Sequence, residues 1–169
     1  MAQKQEWTLE QLEIFYRKAA LATYASEQKP DPTSPKFIAR PGGFKQYTFR
    51  EGRLSYDDGY AGFKQSGGME VVLFDDVAIW YQCYGGGIQI MSTPEEQIHK
   101  IFSFLKKAMS QKTQVFQPRG PDFFELGNHY YSCIWTGDIT KFAGTEAIYE
   151  DSGLVFQHQF FGGLIVWKK

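Results

Sequence analysis

Two glutamates at matching positions in the two halves of the chain are the residues whose chemistry the sequence brings forward. Glu70 and Glu146 each stand among aliphatic and aromatic residues in a segment that alternates like a strand. A carboxylate in such company is desolvated unless it is paired, and desolvation raises its pKa. The functional interpretation is a ligand-binding carboxylate or a general acid or base. The structural interpretation is that each glutamate accepts backbone amides of the preceding glycine-rich loop or pairs with an arginine.

Aromatic side chains form the second candidate set. Alternation along the predicted strands places Tyr56 and Tyr60 on one face of a strand, and Tyr131 and Trp135 on one face of another. Two such ladders either line a groove or pack in the core. The predicted ligand-binding residues are Glu70, Glu146, Tyr56, Tyr60, Tyr81, Tyr131 and Trp135.

Other groups of residues give weaker indications of a functional site. The three histidines His99, His129 and His158 show no metal-ligand spacing, and no G-x-S-x-G elbow is present, so we predict no metal, no cofactor and no catalytic residue. Cys83 and Cys133 lie 50 residues apart and are expected to be reduced thiols. The tight turn at 119–122 carries an arginine expected to pair with a carboxylate, and the aspartates at 57–58 are expected at a solvated edge.

Composition narrows the classes of function. The net charge of −1 argues against nucleic-acid binding through a basic face and against an anionic membrane surface. No stretch has the length and apolarity of a signal peptide or a membrane span, so the sequence predicts a cytoplasmic protein. Hydrophobic residues make up 43% of the 169 residues, which fits one globular domain, 1–169.

The chain aligns with itself. At offsets of 75 and then 76 residues, identical residues coincide in the two halves. The coinciding pairs are Phe49/Phe124, Gly52/Gly127, Tyr56/Tyr131, Gly62/Gly137, Gly68/Gly144, Glu70/Glu146, Asp75/Asp151, Gly86/Gly162 and Gly87/Gly163. We interpret this as an internal duplication, with repeat one at about 8–91 and repeat two at about 93–167.

Each repeat is predicted to open with a helix. Thr8 and Gln11 form a capping box, and Thr93 is the expected N-cap of the second helix, followed by Pro94. A proline-rich loop at 29–35 should end the first helix. Strands follow at 46–49, 53–61, 67–74, 77–84 and 88–91, and again at 123–125, 128–136, 144–150, 153–161 and 164–167.

The hairpin at Asp75-Asp76 sets the expected strand register. A two-residue turn pairs Glu70 with Tyr81 and places both on the face away from the helices, while Met69 and Trp80 face the helices. Glycine pairs at 86–87 and 162–163 are expected to bend or interrupt the strands. The predicted fold class is α+β: an internal duplication of a helix-then-antiparallel-meander unit, two-layer and pseudo-twofold.

A group of short motifs resembles a bacterial family known only as a domain of unknown function. The motifs are Arg119-Gly120-Pro121, Tyr131 with Gly137, Phe142-Ala-Gly144-Thr-Glu146 and Phe160-Phe-Gly162-Gly163, echoed by Tyr56 with Gly62, Gly68-Met-Glu70 and Tyr84-Gly-Gly86. The resemblance runs from about Leu12 to the C-terminus. It implies a stand-alone module or one that follows an XRE-type helix-turn-helix, hence effector sensing, and it brings no catalytic residues.

A looser architectural analogy is to duplicated GyrI-like domains. These bind amphipathic cations in a cleft with a glutamate and aromatic side chains, although here the helix precedes all strands of its unit. We therefore expect a small-molecule binding module whose groove takes a small amphipathic ligand that is cationic or donates hydrogen bonds. The alternatives are a protein-interaction or structural domain, with Leu164–Trp167 as a sheet edge that pairs across a homodimer, and a carboxylate-dependent enzyme.

Overall fold

The structure, a computed structural model, describes residues 6–25, 37–39, 41–113, 116–151 and 153–167. Besides a 3₁₀ turn at Pro41–Gly43, these ranges contain two α-helices and nine strands. They are α1 (Leu9–Ala22), β1 (Phe37–Ala39), β2 (Lys45–Glu51), β3 (Leu54–Gly62), β4 (Gln65–Phe74), β5 (Val77–Ile88), α2 (Glu95–Ser110), β6 (Phe123–Leu126), β7 (His129–Asp138), β8 (Lys141–Glu150) and β9 (Gly153–Leu164). The predicted loop at 29–35 lies outside the described residues.

All nine strands form one antiparallel sheet. Its spatial order is β1-β2-β3-β4-β5-β9-β8-β7-β6, so β5 and β9 pair with each other in the middle. The predicted two-layer arrangement of two helix-then-meander units is therefore wrong. A single continuous sheet with two helices takes its place, and only the coarser α+β description fits.

The predicted break at the glycine pairs is also wrong. Residues 77–84 and 88–91 were expected as separate strands, but β5 runs without interruption from Val77 to Ile88. Gly86 and Gly87 adopt φ values of 137° and 154°, which let the strand continue through a region that side chains rarely enter. Likewise β9 runs to Leu164, in the centre of the sheet, so the segment expected at an exposed edge begins on a central strand.

Both helices pack on one face of this sheet. Tyr16 of α1 lies against Tyr56 and Trp80, with ring centroids 6.4 and 4.8 Å apart, and Phe102 of α2 lies 5.9 Å from Phe156. We call this the helix-covered face. Within the described ranges, neither helix is long and apolar enough to span a bilayer.

The predicted N-cap is confirmed for α1 but not for α2. The capping box of α1 is confirmed, since the Thr8 hydroxyl accepts from the Gln11 amide and the Gln11 side chain accepts from the Thr8 amide. For α2 the expected cap at Thr93 is wrong. Pro94 occupies the N-cap, and the Thr93 hydroxyl instead donates to the carbonyl of Ile90 at 2.6 Å.

Candidate functional site

Glu70 lies on the helix-covered face, opposite to the prediction. The two-residue turn is present, with positive φ at Asp75 and Asp76, but Ile79 is an extra residue in β5 that pairs with nothing in β4. This bulge shifts the register by one, so Glu70 pairs with Gln82 instead of Tyr81. A one-residue shift moves side chains to the other face, which is why the predicted positions of Glu70 and Met69 are exchanged.

Arg119 joins the two glutamates in the interior. Its Nη1 donates to Oε1 of Glu70 at 3.1 Å, and its Nε and Nη2 lie 2.9 and 2.8 Å from Oε1 of Glu146. Both carboxylates are fully buried and Arg119 is 3% exposed. The guanidinium also lies over the rings of Tyr84 and Tyr24, 4.6 and 5.2 Å from their centroids. The structural interpretation of the glutamates, pairing with an arginine, is what the geometry shows.

Glu146 has partners at both oxygens. Besides Arg119, the Tyr131 hydroxyl donates to Oε2 at 2.8 Å and Nδ1 of His158 lies 3.2 Å from Oε1. Burial alone would raise the pKa of Glu146, but Arg119 and His158 outweigh it and lower the pKa to about 2. Glu146 is therefore an anion at neutral pH.

Glu70 is less completely satisfied. Its Oε1 accepts from the Gln82 amide at 2.9 Å as well as from Arg119, whereas Oε2 has no hydrogen-bond partner of normal geometry among the described residues. The Tyr56 hydroxyl is nonetheless close enough to favour the charged form of the Glu70 carboxyl group. Burial dominates and raises the pKa of Glu70, against the opposing charges of Arg119 and Lys112.

Two further titratable groups surround Glu70. Asp58 pairs with it across β3 and β4 and is 1% exposed; burial, then the charge of Glu70, raise the pKa of Asp58 to about 8. The Tyr84 hydroxyl donates to Asp58 Oδ1 at 2.8 Å. Burial lowers the pKa of Lys112 to about 7; its Nζ lies 3.2 Å from the Tyr24 hydroxyl. At neutral pH this end of the cluster holds a protonated aspartic acid and a partly charged lysine.

A cavity of about 280 Å³ opens beside the cluster, between α2 and strands β2–β4. We call it the α2 pocket. Its apolar wall consists mainly of aromatic rings and two aliphatic side chains of α2: Tyr47, Tyr60, Phe63, Phe102, Leu105 and Met109. Besides Tyr24 and Tyr84, its polar lining consists of Lys45, Asp58, Ser66, Lys106, Arg119 and His158. The pocket thus reaches the cluster through the aspartate, the arginine and the histidine.

The predicted binding residues separate into three groups. Glu70, Glu146, Tyr56 and Tyr131 are all buried in or beside the cluster, and Tyr60 lines the α2 pocket. Tyr81 lies on the opposite face of the sheet, where its ring contacts Phe161 edge-on. Trp135 packs against Phe116 and does not line the pocket.

Several residues of the site were missed by sequence reasoning. Asp58 was expected at a solvated edge, although it shares a strand face with Tyr56 and Tyr60, and that spacing was the available signal. As a functional residue, His158 was considered from the sequence only as a metal ligand, and no other role was predicted for it. Lys112 and Ser66 stand in polar segments that carry no chemical motif, so no sequence signal pointed to them. Among the described residues, no group of three or more His, Cys, Asp or Glu side chains is placed to hold a metal ion.

Fold and site together define an antiparallel α+β domain with a buried polar cluster beside one pocket. The chain belongs to the family described as Domain of unknown function (DUF5680), whose family model matches residues 58–165. That range includes Asp58, Glu70, Arg119, Glu146 and His158, and so the polar core of the site. No curated protein and no solved structure matches the chain.

Proposed function

We propose that this protein binds a small organic anion with a flat apolar body in the α2 pocket. The observation that carries the proposal is the pair of lysines in its lining. Lys45 and Lys106 line the same cavity, and within the described ranges neither ammonium forms an ion pair with a carboxylate. Burial and then the charge of Lys45 lower the pKa of Lys106. An anion between the two lysines would relieve that repulsion.

The remaining polar lining also supports an acceptor-rich ligand. With its pKa raised to about 8, Asp58 is protonated at neutral pH and able to donate. Arg119 is a donor at every accessible pH, and the Ser66 hydroxyl is also able to donate. A cavity lined mainly by donors favours carboxylate, sulfonate or phosphate groups.

The apolar wall supports a flat ligand body. Tyr47 and Tyr60 are stacked, with ring centroids 6.0 Å apart and an interplanar angle of 12°. Phe63 and Phe102, 5.8 Å apart, form part of the same wall. A planar ring placed among such side chains gains both area burial and stacking.

The proposed ligand differs in charge from the cationic ligand expected from the sequence. That expectation rested on Glu70 and Glu146 as free carboxylates. Because both are bound to Arg119, we propose that they act on the ligand indirectly, by fixing the arginine at the base of the pocket.

A thermal-shift screen with matched anions and cations tests the proposal. We expect aromatic carboxylates to raise the melting temperature and aromatic amines of the same size to leave it unchanged. A ligand at a hundred times its dissociation constant adds about 2.7 kcal/mol, which is a shift of several degrees. Lys106→Met should weaken the best anion by roughly tenfold or more, the size of one charge-assisted hydrogen bond.

Lys107→Met is the matched control, because Lys107 is the next residue of α2, is exposed and lies outside the pocket. The proposal would be overturned if amines stabilised the protein as well as carboxylates, or if Lys107→Met weakened binding as much as Lys106→Met. The homodimer expected from the sequence stays a prediction, and sedimentation of the purified chain measures it.

A further inference from the structure

Three side chains at one level of the sheet form a continuous hydrogen-bonded relay. The Ser66 hydroxyl lies 3.3 Å from Nε2 of His158, and Nδ1 of the same ring lies 3.2 Å from Oε1 of Glu146. Ser66 and His158 both line the α2 pocket, while Glu146 is fully buried behind them. The order is hydroxyl, imidazole, carboxylate, with the hydroxyl at the cavity.

The strand register explains how these residues meet. Ser66 of β4 pairs with Gly86 of β5, Gly86 pairs with His158 of β9, and His158 pairs with Glu146 of β8. Ser66 and His158 are thus two strands apart, roughly 10 Å between backbones at the usual strand spacing. The imidazole spans that gap because the residue between them has no side chain.

Glycines also keep the serine uncovered. Both residues paired with Ser66, Gly62 and Gly86, lack side chains. At Gly86 a Cβ would lie 2.2 Å from the carbonyl oxygen of Gln157, and the φ of 137° disfavours any other residue. The hydroxyl is therefore open to the cavity from the side of each neighbouring strand.

The direction of the relay follows from the carboxylate. An ionised glutamate only accepts hydrogen bonds, so in the neutral ring the proton resides on Nδ1 and is donated to Glu146. Nε2 is then the acceptor for the Ser66 hydroxyl. A base held in this tautomer next to a hydroxyl is the arrangement that activates a serine nucleophile.

We propose that Ser66 is the nucleophile of a serine hydrolase centre that cleaves small carboxylic esters in the α2 pocket, with His158 as its base and Glu146 positioning His158. The inference rests on the proposed function, because the carboxylate that hydrolysis releases is an organic anion of the kind proposed to bind in this pocket. Lys45, Lys106 and Arg119 line the same cavity, and their positive charge favours the oxyanion formed during attack.

The reaction is balanced with an ester and water alone. Ser66 Oγ forms a bond to the carbonyl carbon while its proton passes to Nε2 of His158. Collapse of the tetrahedral intermediate breaks the bond to the alcohol oxygen, which takes the proton from His158. Water then attacks the acyl group, again giving a proton to His158, and the carboxylic acid leaves with regeneration of the Ser66 hydroxyl.

An alkyl fluorophosphonate probe tests this chemistry directly. The serine oxygen displaces fluoride from phosphorus, and mass spectrometry locates the adduct. We expect one adduct on Ser66 in the wild type and in the control Ser92→Ala, since Ser92 is exposed and lies outside the α2 pocket. Ser66→Ala should give none, and His158→Gln should label about 10²-fold to 10⁴-fold more slowly.

The rate of hydrolysis of a short-chain nitrophenyl ester should follow the same order: wild type and Ser92→Ala fastest, His158→Gln much slower, and Ser66→Ala inactive. The proposal is overturned if the wild type is labelled no more than heat-denatured protein, or if the adduct lies on another residue. Thermal shifts with aromatic carboxylates separate this failure from failure of the pocket. If the wild type is not labelled but Ser66→Ala still binds the aromatic carboxylate, the proposed binding function stands and the proposed hydrolase activity is wrong.

Discussion

The two carboxylates at the ends of Arg119 occupy equally buried positions but have different surroundings. Glu146 accepts from Arg119 through two nitrogens and also has Tyr131 and His158 as partners. Glu70 accepts one nitrogen of Arg119 and the Gln82 amide. Accordingly the pKa of Glu146 is lowered to about 2, whereas burial raises the pKa of Glu70.

This difference shows that burial alone does not decide the charge of an interior carboxylate. Both residues lose all contact with water, and the number and kind of donors determine whether the pKa is lowered, as for Glu146, or raised, as for Glu70. A buried ion whose oxygens are all satisfied fixes the structure around it, while an incompletely satisfied one is able to change its protonation.

The environment of each carboxylate extends the contrast. The Glu146 end leads through His158 to Ser66, a chain whose protons have assigned positions once Glu146 is an anion. The Glu70 end faces Asp58 and Lys112, whose pKa values are moved by burial to about 8 and about 7. One end of Arg119 is thus held in a fixed charge state and the other carries groups that titrate near neutral pH.

The largest effect is expected for Glu146→Gln. Removing this charge leaves Arg119 with Glu70 as its one remaining buried carboxylate partner among the described residues. Breaking a buried ion pair from one side costs about 3–5 kcal/mol. For a chain of this length that lowers the melting temperature by roughly 10 °C, measured by calorimetry at pH 7.

Glu125→Gln is the control for charge removal as such, because Glu125 is exposed on β6. Its melting temperature should stay within about 2 °C of the wild type. Equal stability of Glu146→Gln and Glu125→Gln would mean that the cluster does not need the anion.

A smaller effect is expected for Glu70→Gln. The amide keeps an acceptor for Arg119 and Gln82, and burial, which raises the pKa of Glu70, already disfavours the charge that the substitution removes. We expect a loss of about 1 kcal/mol, comparable with one neutral hydrogen bond. Calorimetry of Glu70→Gln and Glu146→Gln under the same conditions measures the free energy of unfolding that each variant loses. Equal losses would show that the two ends of Arg119 do not differ.

The sequence alone was enough to predict the helices and the hairpin at Asp75-Asp76, and it drew attention to two glutamates that the structure places in the interior beside Arg119. These depend on local signals: caps, turn residues and alternation. It was not enough for the side of the sheet on which Glu70 lies, because a single bulged residue, Ile79, reverses a face without any marked change in composition. Bulges are decided by the packing of the whole sheet, and the residues near one carry no distinct pattern.

Long-range contacts set the remaining limit. Arg119 was recognised as a partner for a carboxylate, but its binding of both glutamates depends on the pairing of β5 with β9, which joins the two halves of the sheet. The relay from Ser66 to His158 spans 92 residues of sequence and needs a glycine in the strand between them. Neither relation leaves a short motif, so only the three-dimensional structure reveals it.

The most specific effect is expected in the pH dependence of Asp58→Asn. The pKa of Asp58 in the folded protein is raised by burial and by Glu70 to about 8, well above the value of about 4 expected in the unfolded chain. The unfolded state therefore releases this proton first. The stability that the neutral acid contributes is fully present below pH 4 and is lost as the pH rises towards 8. Asparagine keeps the acceptor for the Tyr84 hydroxyl and does not titrate.

The measured quantity is the difference in the free energy of unfolding between Asp58→Asn and the wild type at pH 4.5, 6, 7.5 and 9. We expect it to change in favour of the variant by at least about 1.4 kcal/mol, the equivalent of one pKa unit, and to level off above pH 8. Lys112, whose pKa is lowered by burial to about 7, acts in the opposite sense, since its unfolded form binds more protons. Because Lys112 is present in both proteins, its contribution cancels in the difference to first order. A difference that stays constant across this range would show that Asp58 is already ionised in the fold, and Lys112 alone would then titrate near neutral pH at this end of Arg119.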